Sequence, residues 1–124
     1  MNWLKHLFGR PALAQPFKQP RVQFVGEQDG PVEQDIKARW TPILLRHPEV
    51  QRAYLALGSY DACQTYQPLL CIRSSRAEDP SLVDELAAPF KELFSRNCAL
   101  DIMFVSGEKE SELRQVCHAF YQAA

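Results

Sequence analysis

Two hydrophobic periods alternate along this chain, and that alternation constrains its fold more than any other feature. Val22-Gln23-Phe24-Val25, Ala53-Tyr54-Leu55-Ala56-Leu57, Leu69-Leu70-Cys71-Ile72 and the segment Ala99 to Val105 are apolar runs of strand length. Between and after them the apolar residues recur at helical spacing. Asp29-Gly30-Pro31 opens the first such stretch, which continues through Val32, Ile36, Trp40, Ile43 and Leu44 and ends at His47-Pro48. Pro42 falls inside it, so a kink is expected there, or a restart with Thr41 as cap. Asp79-Pro80 is a second start, with Asp79 as cap and a stripe of Leu82, Leu86, Phe90, Leu93 and Phe94. Pro89 predicts a bend in it. After Gly107, the spacing of Leu113, Val116, Cys117 and Phe120 predicts a last helix. Glu108, Glu110 and Glu112 gather at its start, where the helix dipole favours negative charge.

The predicted order is therefore β-α-β-β-α-β-α. The two middle strands read as a long hairpin, with Gly58 to Gln67 as its loop. This is an α+β pattern of the split βαβ kind: a four-stranded, mostly antiparallel sheet with helices packed mainly on one face. Leu100, Ile102 and Phe104 alternate with Asp101, Met103 and Val105, so the 99–105 strand is apolar on both sides and is expected to be central.

At 124 residues this is one domain, placed at residues 22–124. A hydrophobic share of 46% and a charged share of 23% exclude disorder, coiled coil and collagen. No run reaches the ~18–20 apolar residues of a spanning helix. A net charge of −1 gives no general attraction to nucleic acid.

Charge is unevenly spread. Lys5, Arg10, Lys18 and Arg21 stand in an acid-free opening segment, while the remaining 10 basic and 15 acidic residues leave the body at −5. Pro11, Pro16 and Pro20 favour an extended connector, so residues 1–21 read as a basic arm. At its tip Trp3, Leu4, Leu7 and Phe8 share one helical face. Such an element docks a partner groove or a membrane surface, or folds back on its own domain. It is too short for stable membrane insertion.

Chemistry is sparse. Cys63, Cys71, Cys98 and Cys117 form no Cys-x-x-Cys pair, and His6, His47 and His118 are scattered, so neither a metal site nor a cofactor is implied. Ser74, Ser75 and Ser106 lack a nucleophile-elbow context, and no phosphate loop is present. The expected catalytic set is empty and the chain reads as non-enzymatic. Asp101 is the polar anomaly, an acid in an apolar strand that needs a partner such as Arg52 or Arg73. Tyr60 and Tyr66 flank the hairpin loop as candidate contact residues, and Cys63 between them is the thiol expected to be exposed. The opening residues lack a secretory apolar core, which points to a reducing, cytoplasmic compartment.

Val50-Gln51-Arg52-Ala53-Tyr54-Leu55-Ala56-Leu57, Val25-Gly26-Glu27, Ala99-Leu100-Asp101-Ile102-Met103-Phe104 and the closing Ala119-Phe120-Tyr121 resemble the C-terminal domain of the enhanced-serine-sensitivity (SseB-type) proteins. The resemblance spans about residues 22–122. It departs from the family in two places: a short arm stands where the family has an N-terminal domain, and Ala119 stands where the family more often has proline. It implies a small bacterial cytoplasmic α+β domain of a family linked to serine tolerance, with no agreed enzymatic activity and no catalytic residues to carry over. The expected function is thus a protein-interaction or regulatory module that takes a protein partner or a second copy of itself. The alternative is a dimerising domain that senses a small ligand such as an amino acid, with Glu27-Gln28-Asp29 between Gly26 and Gly30 as a suggestive loop.

Overall fold

The structure, a computed structural model, describes residues 22–60, 66–76, 78–94 and 100–124. The apolar runs become strands β1 (Val22–Glu27), β2 (Val50–Tyr60), β3 (Gln67–Ser74) and β4 (Asp101–Phe104). The helical stretches become α1 (Pro31–Leu45), α2 (Pro80–Leu93) and α3 (Gly107–Leu113), and a fifth strand, β5 (Tyr121–Gln122), follows. The fold is α+β, as the alternation of periods predicts. The arm at 1–21, with Trp3, Leu4, Leu7 and Phe8, and the loop cysteine Cys63 lie outside the described residues.

β2 is the centre of the sheet. It pairs antiparallel with β3 and with β1, and β4 joins β3 in parallel. The order is β1-β2-β3-β4, so each connecting helix joins neighbouring strands and no strand is split off between them. β2 runs to Tyr60 instead of stopping at Leu57, because β1 supplies a partner for its far half, with Val22 opposite Tyr60 and Glu27 opposite Ala56. Gly58 is needed in that stretch: a Cβ there would lie 2.9 Å from the Gln23 carbonyl oxygen and 2.6 Å from Leu69 Cδ1.

β5 takes the near half of the same edge, pairing with Arg52 and Ala53. The Gln28 N–H donates to the Leu55 carbonyl (3.1 Å), the Phe120 N–H to Ala53 (2.9 Å) and the Ala123 N–H to Gln51 (2.9 Å). One edge of β2 is thus satisfied by two separate pieces of chain. They are fastened to each other where Glu27 Oε1 accepts the backbone N–H of His118 at 3.0 Å.

Strand alternation sends Ala53, Leu55, Leu70 and Ile72 to one face, where Ile36, Trp40 and Leu44 of α1 and Leu82, Leu86 and Phe90 of α2 cover them. The Trp40 indole donates to the Leu86 carbonyl at 2.8 Å, which ties the two helices across the core. Tyr54, Ala56, Leu69 and Cys71 point to the other face and meet Leu113 of α3 and Cys117. Two helices lie on one face, as expected of helices packed mainly there, and the short α3 covers part of the other.

Several local expectations are corrected. α1 is assigned as one helix through Pro42, and Thr41 does not cap a restart: its hydroxyl donates to the Lys37 carbonyl at 2.9 Å. Val32 is about half exposed and stands off the buried stripe. β4 is not central; among the described strands it is an edge, paired with β3 alone. Its two apolar sides follow from cover on both faces: Ile102 and Phe104 pack on the α1/α2 side and Met103 on the α3 side. The last helix stops at Leu113. Val116 is then exposed, and Cys117 and Phe120 part to opposite faces because the chain turns into β5 along the edge of β2. A helical spacing here disguised a strand.

Candidate functional site

Between α1 and α2, at the end of the core nearest the hairpin loop, lies a cleft of about 170 Å³. Ile36, Trp40, Leu55, Pro68, Phe90 and Phe94 give it an apolar lining, with Gln28 and Glu33 as its polar members. Pro68 sits beside Leu57 in the hairpin register, and Phe94 follows the last turn of α2. An apolar cavity of ~150 Å³ accepts a benzene-sized group, so this one is matched to an aromatic or branched aliphatic side chain. Of the suggestive loop Glu27-Gln28-Asp29, only Gln28 lines the cleft. Asp29 is held by Lys37 Nζ at 2.9 Å and also accepts from Gln34 Nε2, and Glu27 Oε2 lies 3.9 Å from the same ammonium. The His118 backbone N–H holds the Glu27 carboxyl below the usual carboxylate range, and the His118 side chain and Lys37 reinforce this. Lys37 is buried, with its Nζ 5.9 Å from the Phe120 ring centroid.

The other face carries the most charged part of the interior. Glu110, in the middle of α3, is 5% exposed. Its carboxylate accepts from Arg52 Nε at 2.5 Å, from Arg52 Nη2 at 2.9 Å and from the Tyr54 hydroxyl at 2.5 Å. Arg73 Nε stands 3.5 Å from Oε1 as an ion pair, and Arg73 Nη1 donates to the Val105 carbonyl. The Arg52 fork, opposed by burial and helped by Tyr54 and Arg73, holds the Glu110 carboxyl down to about 2. The same contact raises the Arg52 guanidinium, while burial and then Glu110 push the Tyr54 phenol up to about 12. Arg52 and Tyr54 both donate to this one carboxylate and Arg73 adds an ion pair, so the arrangement locks α3 to the sheet.

The sequence grouped Glu110 with the surface acids Glu108 and Glu112. The signal that separates it is the pair Arg52 and Arg73, opposite each other in the hairpin register on one face, which needs an anion nearby.

The remaining candidates disperse. Asp101 opens β4 opposite Leu69 and accepts from Gln67 Nε2 at 2.6 Å. Tyr66 is exposed just before β3. Tyr60 is the last residue of β2, and its side chain lies outside the description. Asp101, Tyr66 and Gln67 stand near the loop end of the hairpin, apart from the Glu110 cluster. Cys71 and Cys117 are buried free thiols. Burial pushes both up, Cys117 to about 12, so neither is poised as a nucleophile. His47, Glu49 and Asp79 are brought together at the opposite end of the sheet. Among the described residues no helix is long and apolar enough to cross a membrane.

Compared with known proteins, the chain matches no family model, no curated protein and no solved structure.

Proposed function

We propose that this chain is a non-enzymatic protein-interaction or regulatory module of the bacterial cytoplasm, of the kind the SseB-type resemblance implies. The observation that carries the reading is the apolar cleft between α1 and α2. Its lining of Trp40, Phe90, Phe94, Leu55 and Pro68 offers a receptor for one apolar anchor from a partner protein. The reading is also supported by the buried ionisable groups of the α3 face, which are tied up in structural contacts.

The test is affinity capture by the wild-type chain and by a Gln28→Trp variant, whose indole would fill the cleft mouth. A partner identified on the wild type and lost on the variant supports the reading. A partner retained equally by both moves the binding surface away from the cleft.

A second reading, an amino-acid-sensing domain that dimerises, draws on Glu33 and Gln28. A carboxylate and an amide beside an apolar cleft suit the ammonium and side chain of a free amino acid. A panel of amino acids in a thermal-shift assay decides it, since a ligand at 100 times its Kd adds about 2.7 kcal/mol.

A further inference from the structure

We infer that the end of the sheet opposite the cleft holds a binding site for one divalent transition cation of the zinc class, made by His47, Glu49 and Asp79. The topology brings them together. His47 and Glu49 lie in the turn from α1 into β2, and Asp79 caps α2 just after β3. β2 begins where β3 ends, with Val50 opposite Ser74. One ligand atom from each of the three residues lies within 4.8 Å of the other two.

The donor set is one imidazole nitrogen and two carboxylates, which suits zinc with water in the open position. An imidazole ligand argues against magnesium and calcium, which prefer all-oxygen sets. His47 Nδ1 lies 3.5 Å from Glu49 Oε2. Two ligands on a tetrahedral zinc at ~2.0–2.1 Å stand about 3.3 Å apart, so this pair needs little movement.

The imidazole is already oriented. Its Nε2 faces the Glu85 carboxylate on α2, 3.3 Å from Oε2 and 3.4 Å from Oε1. A proton on Nε2 donated to Glu85 leaves the Nδ1 lone pair directed at Glu49. Metal-binding histidines are held in this way by a carboxylate behind the ring. Arg46 Nη2 sits 2.9 Å from Glu85 Oε1 and balances its charge from outside.

The carboxylates are equally placed. The Glu49 carbonyl accepts from Ser74 Oγ at 3.1 Å and from the Ser75 N–H at 3.0 Å, and the Val50 N–H closes the turn onto the His47 carbonyl at 3.0 Å. Asp79 is almost fully buried and spends Oδ1 on the Leu82 N–H, which leaves Oδ2 for the cluster.

A cation already stands there. Arg76 Nη1 is 3.4 Å from Asp79 Oδ2 and 3.9 Å from Glu49 Oε2, yet its side chain is 57% exposed. A long, exposed arginine can leave; the metal would take its place between the two carboxylates. Arg76 is therefore a competitor for the site.

The test is titration of the full, tag-free chain with zinc and with cobalt(II), followed by calorimetry and by the visible spectrum of cobalt. The expected result is one equivalent bound in preference to magnesium. Binding is abolished in His47→Ala. It is also abolished in Asp79→Asn, a change that keeps an N-cap side chain and hence the helix start. Glu85→Gln weakens it by about 10–100-fold. Arg76→Ala tightens it. The absence of one-equivalent binding by the wild-type chain would overturn the site, as would binding unchanged in both His47→Ala and Asp79→Asn. Arg76→Ala that weakens binding would overturn the exchange of guanidinium for metal.

Discussion

The two faces of the sheet are built from the same strands and closed in different ways. On one side, α1 and α2 lay Ile36, Trp40, Leu44, Leu82, Leu86 and Phe90 over Ala53, Leu55, Leu70 and Ile72, and the Trp40 indole bond links the two helices inside that layer, while the Arg39–Glu92 ion pair joins them at the surface. On the other side, a helix of 7 residues brings Leu113 and a buried glutamate onto Tyr54, Leu69 and Cys71. A 7-residue helix has room for about two inward positions. One is apolar and the other is Glu110, held by the arginines at the margin of the face. The difference teaches that a long helix can close a sheet by area alone, whereas a short one uses directional bonds to fix its place.

Truncation on the apolar face should have the largest effect. Trp40→Ala removes a fully buried indole and its bond to Leu86. Changes of this kind cost about 3–5 kcal/mol, so a steep fall in the denaturant midpoint is expected. A loss under ~1 kcal/mol would mean that the α1/α2 layer is not the main source of stability.

Glu110→Ala comes next. Breaking a buried ion pair costs about 3–5 kcal/mol. Arg52 keeps 27% of its side chain exposed and so recovers some hydration, and we expect about 2–3 kcal/mol here. Replacing both partners, Arg52→Met with Glu110→Leu, should recover most of that loss, because an apolar pair leaves no charge stranded. If Glu110→Ala costs more than Trp40→Ala, the ranking of the two faces is reversed.

The same carboxyl gives acid sensitivity. Its folded value, about 2, lies below the ordinary 4.5, so folding favours the ionised form. That stabilisation is complete above the ordinary value and fades as pH falls from about 5 towards 2. Urea midpoints measured across this range should drop more in the wild type than in Glu110→Gln. Parallel curves would show that other carboxylates carry the acid response.

Much of the fold is written locally. Pro31 and Asp79-Pro80 mark two helix starts to the residue, and the Asp79 cap accepts from Leu82 N–H as its position predicts. The hairpin strands follow from their apolar runs, and the α1 and α2 core stripes follow from period, except for Val32, which is exposed. What was not legible depends on partners distant in sequence. β2 extends to Tyr60 because β1 lies beside it, and β5 forms because that edge has a second half to fill. Glu110 turns inward because arginines 58 and 37 residues away need it. The cleft was illegible for the same reason: Gln28, Leu55, Pro68 and Phe94 share no local pattern.

The smallest effect concerns the buried thiols of the α3 face, and it measures how that face opens. Cys71 is in the middle of β3, paired on both sides by β2 and β4, so exposing it means parting the sheet. Cys117 lies after α3, where its thiol donates to the Leu55 carbonyl at 3.4 Å. Only the short segment between α3 and β5 must lift to expose it. In a chain with Cys63→Ser and Cys98→Ser, a thiol reagent under native conditions should label Cys117 before Cys71, with both slow because burial raises both thiols. Glu110→Ala should accelerate Cys117 more than Cys71, since it releases α3 and leaves the strand pairing alone. Equal acceleration of the two would mean that α3 and the sheet open as one unit, and the α3 face would then be as cooperative as the face built on Trp40.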